Sequence, residues 1–377
     1  MKPTMKTACA LAASVALGPA WGQAAASAPA AAASGAAGPD TQQTVTVSAK
    51  RANRVSKGAT GLPMEIKDTP QTISTIDAQD MKEFGATGSN DALRLGTGIN
   101  VEQYETNRAS FNSRGFDIQL TQLDGLGMTN DWGTVVGQQD TFLFDKIELI
   151  RGANGLLTGV GNASGTINYV RKRPTNQDGG EIDLSGGSWN NRRVAIDYNK
   201  VLASDGSWVA RVVATHDDGD SYLRDLHDRK TNLYAVVDGQ VGEHGVLTFG
   251  ASYVDARQKS PMWGALVFAR DDGTQASFDV STSASQDWTH WNTKTRTAFV
   301  ETTHDLGAGW EAQFTYNHHD TDGDAGLFYV YGTLDARNTG LYQWPTRATT
   351  SCTTTSSTPT SPASSTRSAA STTCCWA

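Results

Sequence analysis

Cysteine is scarce in this chain of 377 residues, and its four positions are uneven. Cys9 lies near the start and the other three lie in the last part, so no cysteine occurs from Gln23 to Ser351. A disulfide framework is therefore excluded for the long middle of the chain. An excess of basic residues is missing as well. The net charge of −8 argues against a sequence-independent nucleic-acid binder, which needs a basic face.

The apolar run at the N-terminus is too short to span a bilayer. Lys2 and Lys6 precede this run, TACALAASVALGPA, and small residues follow it. The pattern is typical of a secretory signal peptide, which we assign to residues 1–22. The alternative is the core helix of a cytosolic protein. Residues 23–43 are rich in Ala, Ser, Gly and Pro, the composition of a flexible linker.

Aromatic and charged residues are few, at 8% and 19%, whereas glycine is frequent, with 38 residues, which favours a turn-rich β protein. After Pro174, apolar and polar residues alternate in runs of about ten residues, the length of a membrane-spanning strand. In WEAQFTYNHH the apolar positions are Trp310, Ala312, Phe314 and Tyr316. The alternation predicts a transmembrane β-barrel. The alternative is a soluble sandwich, whose strands also have one apolar face.

The connections between these runs alternate in length, as do the periplasmic turns and extracellular loops of outer-membrane barrels. The short turns are at 204–207, 242–245 and 305–309. The polar and mostly longer connections are at 216–230, 257–292 and 318–326. A soluble sandwich gives no reason for this alternation, so the loop lengths favour the barrel.

The pattern over residues 60–175 predicts a mixed α/β segment. In PQTISTIDAQDMKEFGA a short strand precedes a helix that Asp77 opens. DALRLG predicts a second helix, with Ala92, Leu93 and Leu95 on its apolar side. The runs FLFDKIELIRG and GTINYVRKRP predict strands.

A glycine-rich stretch, RGANGLLTGVGNASGTINYV, joins these last two strands. A strand that leads into glycines is typical of a phosphate-binding loop, which also needs a helix after the glycines. Here TINYVRKRP alternates as a strand and ends at Pro174, and the spacing is GxGxxxG rather than GxGxxG. The stretch therefore favours tight turns over a nucleotide site.

These segments resemble, in order and pattern, the plug domain of TonB-dependent outer-membrane receptors. FDKIELIRGANGLLTGVGNASGTINYVRKRP resembles the end of that domain, and DTPQTISTIDAQDMKEFGA, DALRLGTGINV and SRGFDIQLTQLDGLGM resemble its earlier motifs. Ala153 stands where proline is common in the family, and Ser164 replaces the first of two paired glycines. The resemblance covers about residues 44–346 and is to ferric-siderophore receptors of the hydroxamate type, those for coprogen, rhodotorulic acid or pyoverdine.

The resemblance implies a mainly β fold in two parts. A mixed α/β plug domain occupies residues 60–175. The first part of a 22-stranded antiparallel transmembrane β-barrel, with about eight strands, follows over residues 176–346. The last residues, 347–377, turn abruptly to Thr, Ser, Pro and Ala.

TVTVSA resembles the TonB box, which we assign to residues 44–48. Its members are Thr44, Val45, Thr46, Val47 and Ser48. An unpaired, β-branched strand on a flexible tether can add to the edge of a partner's sheet through main-chain hydrogen bonds. The resemblance implies that the partner is TonB with its inner-membrane energising complex. The alternative is a strand-like linker.

Three charged residues match positions where the family ties the plug to the barrel wall. They are Arg114 of SRGF, Glu148 and Arg151 of IRGA. A guanidinium suits this role because it stays charged and grips carboxylates with two hydrogen bonds. The alternative is that they are ordinary surface charges.

The resemblance also implies a siderophore site at the top of the plug. Tyr104 and Arg108 are the first candidates for ligand contact, and Trp132 is the next. Near the long barrel loops the candidates are Trp263, Trp288, Trp291 and Tyr329, with Tyr331 beside the last. Aromatic side chains with polar handles suit a bulky, partly apolar iron chelate. The alternative for the barrel aromatics is the girdle at the lipid interface.

The siderophore itself would carry Fe³⁺, so the resemblance implies no protein cofactor and no protein metal site. His318 and His319 are adjacent on a strand and so point to opposite faces. With no catalytic triad in the pattern, we expect a receptor rather than an enzyme. The expected receptor lies in outer-membrane lipid, binds a ferric siderophore, imports it with energy relayed by TonB, and binds no nucleic acid.

The C-terminal segment 347–377 is either a mucin-like tail or the product of a shifted reading frame near Pro345. A 22-stranded barrel needs on the order of 440 residues at the ~10-residue strand length plus connections. We therefore hypothesise a truncated receptor, and two alternatives stay open. These are a non-functional fragment with a periplasmic plug-like domain and a soluble secreted β-rich binding module. Membrane fractionation tests the second, and the nucleotide sequence past codon 345 tests the first.

Overall fold

The computed structural model describes residues 55–61, 63–129, 135–152, 163–308, 310–360 and 369–376. Several predictions fall outside these ranges: the signal peptide, the linker, the segment Thr44–Ser48, Trp132 and half of the glycine-rich stretch. In the described ranges no helix is both long and apolar enough to cross a bilayer.

The first part of the described chain, which we call the plug, combines short strands with two short α-helices. Its elements are β1 (Val55–Ser56), β2 (Met64–Glu65), a 3-10 helix (Ile66–Asp68), β3 (Thr72–Asp77), α1 (Ala78–Glu83), α2 (Ser89–Arg94), β4 (Asn100–Gln103), β5 (Arg108–Ser113), β6 (Phe116–Asp117), β7 (Leu120–Leu123), β8 (Leu126–Thr129), β9 (Val135–Val136), a 3-10 helix (Thr141–Leu143), β10 (Phe144–Arg151) and β11 (Gly165–Arg171). The main plug sheet has the order β3-β10-β11-β7-β8, and a second sheet joins β4, β5, β6 and β9. The prediction of a mixed α/β segment is confirmed.

The two helices lie where the sequence predicts them. Asp77 caps α1, because its side chain accepts a hydrogen bond from the Asp80 amide at 2.9 Å. In α2, Ala92 and Leu93 are fully buried, but Leu95 is 37% exposed, so its predicted place on the apolar side is wrong. Leu95 follows the last helical residue, and the helical period no longer sets its direction.

The glycine-rich stretch leads into a strand and not into a helix. β11 begins at Gly165 and pairs antiparallel with β10. Gly165 has φ +151°, and a Cβ there would lie 2.5 Å from the Ile150 carbonyl oxygen. Glycine is required at this point because the two backbones approach closely. In the described residues the stretch leads into β11 and offers no helix N-terminus to an anion, which favours the tight-turn interpretation over a phosphate loop.

The second part is one antiparallel sheet whose nine strands follow chain order. They are β12 (Gly179–Gly186), β13 (Arg192–Val201), β14 (Trp208–Asp220), β15 (His227–Val241), β16 (Gly245–Lys259), β17 (His290–Gly307), β18 (Trp310–Gly332), β19 (Leu341–Thr360) and β20 (Ala369–Trp376). A mainly β fold with a plug and a partial barrel is therefore confirmed.

Two predicted connections are wrong in detail. Residues 318–326 lie inside β18, and the connection within 216–230 shrinks to residues 221–226. The polar residues of these stretches extend the strands, because they pair in continuous register with β17 and with each other. β12 to β18 and the start of β19 lie within residues 176–346, so the prediction of about eight strands is confirmed.

The two faces of the nine-stranded sheet differ in polarity. In β13, Asp197 and Asn199 are buried against the plug, whereas Val194, Ile196 and Tyr198 are exposed on the outside. A soluble sandwich would cover the apolar face and expose the polar one. Here the covered face is polar and the open face is apolar, as in a barrel wall that meets lipid.

The sheet continues into the segment 347–377, for which the sequence predicts a tail outside the barrel. β19 pairs with β18 from Leu341 to Thr360, and β20 pairs with β19. The threonine-rich composition favours strand geometry. The shifted-frame origin of residues 347–377 stays a prediction.

Candidate functional site

One end of the sheet carries its longest connection, residues 260–289, and there the plug presents a charged pair. Arg108 begins β5, and its Nε and Nη2 donate to the two carboxylate oxygens of Glu105 at 2.6 and 2.8 Å. The Glu105 side chain is fully buried, whereas that of Arg108 is 30% exposed. A buried carboxylate thus holds the guanidinium in a fixed orientation with a bidentate geometry.

Aromatic side chains surround this pair. The Arg108 guanidinium lies 5.8 Å from the ring centroid of Trp291, within the range of a cation–π contact. Trp263 meets Tyr329 edge-on at 5.3 Å. The hydrogen bond to Glu105 raises the pKa of Arg108, burial opposes the increase, and nearby Tyr104 and Tyr329 add to it. We call Tyr104, Glu105, Arg108, Trp263, Trp291 and Tyr329 the apical site.

The connection 260–289 is fastened to the plug beside the apical site. The Thr106 hydroxyl donates to the Met262 carbonyl at 3.3 Å, and the side-chain amide of Gln258, at the end of β16, donates to the Thr106 carbonyl at 3.1 Å. The Gly264 amide donates to Glu105 Oε2 at 3.3 Å. Gly264 has φ +85°, and a Cβ there would lie 2.4 Å from the Tyr329 ring, so only glycine fits.

The structure thus brings together five of the residues predicted to bind the siderophore. They are Tyr104, Arg108, Trp263, Trp291 and Tyr329. Trp288 instead packs edge-on against Phe328 at 6.2 Å. Tyr329 continues into a stack with Tyr331 at 6.3 Å, and Tyr331 with Tyr342 at 5.8 Å. Their role in binding stays a prediction.

The residues predicted to tie the plug to the barrel have their observed partners inside the plug. Glu148 pairs with Lys146 at 2.9 Å and accepts a hydrogen bond from Ser56 at 2.7 Å. Arg151 donates to Ser74 Oγ at 2.7 Å. Arg114 is exposed in a left-handed turn at φ +56°. For Glu148 the register explains this, because it lies on a central plug strand between β3 and β11. A contact of Arg114 or Arg151 with further barrel wall stays a prediction.

Other residues make the ion pairs between the plug and the sheet. Asp140 accepts from Arg193 of β13 at 2.9 Å, from Thr215 of β14 at 2.7 Å and from Asn232 of β15 at 3.1 Å. It also caps the following 3-10 helix by accepting from the Phe142 amide. One plug carboxylate therefore binds three consecutive strands. We call Asp140, Arg193, Thr215 and Asn232 the Asp140 cluster.

A second cluster forms where the plug passes into the sheet. Asp124 accepts from Arg171 at 2.6 Å and from Arg173 at 2.9 Å, and Arg173 also pairs with Glu301 of β17 at 2.8 Å. The Arg171 guanidinium lies 3.6 Å from the centroid of the buried Phe299 ring. Between these arginines, Lys172 pairs with a carboxylate of β13 at 2.8 Å. The basic exit of the plug is thus buried against the polar face of the sheet.

Comparison with known proteins adds sequence evidence to this geometry. The profile of the TonB-dependent receptor plug domain matches residues 65–166. The ferripyoverdine receptor of Pseudomonas aeruginosa is 33% identical over 265 residues, which are 69% of this chain and 32% of that protein.

The chain belongs to the TonB-dependent receptor family. It carries the plug and the β-sheet wall of that family of outer-membrane receptors. The solved structure of Pseudomonas aeruginosa FpvA bound to a heterologous pyoverdine aligns with a TM-score of 0.76 and 28% identity, covering 80% of this chain and 41% of that one. The ferrioxamine B receptor of Salmonella typhimurium is 30% identical over 187 residues, 48% of this chain and 26% of that protein. The relatives named here are receptors rather than enzymes.

The chain spans about a third of the length of the curated relatives it matches. The alcaligin receptor FauA of Bordetella pertussis shares the fold, with a TM-score of 0.60 and 22% identity over 86% of this chain and 59% of that one.

Sequence reasoning missed two carboxylates of the receptor. Glu105 stands three residues before Arg108, a spacing that would have suggested a local pair. Asp140 precedes the apolar run TFLF, as a helix cap does. Nothing in the sequence signals that it faces Arg193.

Proposed function

We propose that this receptor binds a ferric siderophore at the apical site and imports it across the outer membrane with energy relayed by TonB. The observation that carries the proposal is the Arg108–Glu105 pair, set among aromatic rings where the plug meets the connection 260–289. Rings with polar handles bind the apolar body of an iron chelate, and the guanidinium donates to its oxygen ligands.

The ligands named for the relatives support the same ligand class. They include receptors for ferripyoverdine and for ferrioxamine B, in which the chelator holds the iron. The proposed site therefore needs no protein ligands to Fe³⁺. The proposed TonB contact is Thr44–Ser48, through strand addition to the partner's sheet.

The test measures binding by the full chain in detergent micelles. Ferripyoverdine and ferrioxamine B are titrated while tryptophan fluorescence is recorded, and saturable quenching is expected. Trp291→Ala should weaken binding several-fold, because it removes the ring beside Arg108. Trp189→Ala is the matched control, since this exposed ring packs against Tyr222 and not against a ring of the apical site. Absence of saturable binding to either chelate would contradict the proposal.

Import is tested separately with radioactive iron. Uptake in cells that lack other siderophore receptors, with and without TonB, distinguishes a working transporter from the fragment hypothesis. Binding without TonB-dependent uptake would assign the chain to the non-functional fragment class.

A further inference from the structure

Both carboxylate oxygens of Glu105 accept hydrogen bonds from groups of the protein. Its two oxygens accept from Arg108 Nε and Nη2, from the Arg108 backbone amide at 3.2 Å and from the Gly264 amide at 3.3 Å. The acid is fully buried, and its charge is matched by the one guanidinium of the apical site. The contacts to Glu105 use Nε and Nη2, which leaves Nη1 of Arg108 for a ligand oxygen.

The charges below the apical site are matched as well. Lys230 of β15 donates to the Gln138 carbonyl and lies within electrostatic reach of Asp140, Asp217 and Asp228. Arg193 pairs with Asp140 and Asp217. Neither Lys230 nor Arg193 therefore offers a ligand an uncompensated positive charge. A strongly basic pocket, in contrast, would focus its field on an anion.

We propose that Glu105 is a specificity-determining positioning residue that cancels the charge of Arg108 and so selects ferric chelates of low net charge. Trihydroxamate chelates belong to this class, whereas tricatecholate chelates are trianionic. This inference rests on the proposed function of the apical site. A trianionic chelate in the apical site is repelled by the buried Glu105 carboxylate and attracted by the Arg108 guanidinium. Because the two effects balance, the chelate gains no net attraction.

The contact with Gly264 gives Glu105 a second role. Because the same carboxylate holds Arg108 and the start of the connection 260–289, it fixes the distance between the guanidinium and the ring of Trp263. Replacement by glutamine keeps the size and one acceptor oxygen but removes the charge, so the guanidinium becomes an uncompensated cation.

The experiment compares two probes on the full chain in detergent micelles by fluorescence titration. The probes are ferrioxamine B, a trihydroxamate, and ferric enterobactin, a tricatecholate. The variants are Glu105→Gln, the conservative Glu105→Asp and the matched control Glu102→Gln. Glu102 is an exposed carboxylate on β4 that bonds to Asn100 and Asn112 and does not touch Arg108.

The expected result is that the wild type prefers ferrioxamine B and that Glu105→Gln shifts the affinity ratio towards ferric enterobactin by about tenfold, the ratio that 1.4 kcal/mol gives. Binding of the anionic probe to this variant should weaken with added salt. Glu102→Gln and Glu105→Asp should keep the wild-type ratio.

Two results would overturn the inference while leaving the proposed function intact. One is a wild type that prefers ferric enterobactin, a result that needs no variant to fold. The other is a Glu105→Gln chain with native circular dichroism whose affinity ratio is unchanged or whose affinities fall equally, as a merely structural role requires. A wild type that binds neither these probes nor ferripyoverdine would instead overturn the proposed function, whereas binding of ferripyoverdine alone would overturn the selection by net charge.

Discussion

Two of the charged groups that lie where the plug meets the sheet differ in their exposure. In the Asp140 cluster, the carboxylate is 2% exposed and all its described partners belong to the protein, on three strands and one helix. In the apical site, the carboxylate is just as buried, but its arginine partner is partly open and aromatic rings stand beside it. A carboxylate paired with a guanidinium thus joins plug and sheet in the Asp140 cluster, whereas in the apical site the same two groups leave the guanidinium available to a ligand.

The difference shows that burial decides whether an ion pair stabilises the fold or takes part in binding. A pair whose hydrogen bonds are all satisfied within the protein fixes the register of the parts it joins. A pair with one exposed member keeps donors free for recognition. Substitutions in the Asp140 cluster should therefore change stability, and substitutions in the apical site should change binding.

The largest effect is expected for Asp140→Ala. The change leaves Thr215 and Asn232 without their acceptor, although Arg193 keeps Asp217 as a partner at 2.6 Å. We expect the free energy of unfolding to fall by about 3 kcal/mol, the lower part of the range for breaking a buried pair. Urea unfolding in detergent micelles, followed by tryptophan fluorescence, measures it.

The matched control is Asp178→Ala, which removes an exposed carboxylate that pairs with Lys200. It should leave the unfolding midpoint unchanged, because exposed pairs contribute little. Equal midpoints for the two variants would show that the Asp140 cluster is not a stabilising contact.

An intermediate effect is expected from pH. Burial alone raises the pKa of Asp140, but hydrogen bonds and charge from Arg193 outweigh it and hold the pKa below the ordinary 3.8. The stabilisation is therefore complete above that ordinary value and is lost as the pH falls through the depressed one. The difference in unfolding free energy between the wild type and Asp140→Asn should be constant from pH 7 to 5 and shrink in stronger acid. A difference that stays constant down to pH 2 would contradict this assignment.

The smallest change in stability is expected for Tyr104→Ala in the apical site. Tyr104 is 46% exposed, so the free energy of unfolding should change by no more than about 0.5 kcal/mol. Affinity for ferrioxamine B should nevertheless fall several-fold, because an aromatic contact is lost. Tyr222→Ala, which removes a ring that is 54% exposed, is the control and should change neither quantity. A large fall in the free energy of unfolding of Tyr104→Ala would contradict the distinction between the Asp140 cluster and the apical site.

Much of the fold could be predicted from local rules. Asp77 predicted the start of α1, because a carboxylate can accept hydrogen bonds from the free amides of a first helical turn. The period-two alternation of apolar and polar residues predicted the sheet and its two faces. It failed over residues 318–326, where polar residues suggested a connection, because strands that rise beyond the apolar zone can stay paired while they become polar on both faces.

The site could be predicted only in part. Tyr104 and Arg108 were found because the family motif places them at the top of the plug, and Trp263, Trp291 and Tyr329 because they flank long connections. Their mutual distances were not in the sequence. For Glu148 the observed partner is Lys146, two residues away on its own strand, and a contact with the barrel wall stays a prediction.

The sequence by itself determined the order of the plug elements, the caps of its helices, the alternation of the sheet strands and the family. These depend on residues that are neighbours or follow a fixed period. Only the tertiary structure decided that Asp140 meets Arg193, fifty-three residues away, and that Glu105 rather than a barrel residue neutralises Arg108. The reason is physical: a charge pairs with whatever the strand register and the depth of burial bring within hydrogen-bonding distance, and neither is encoded by local spacing.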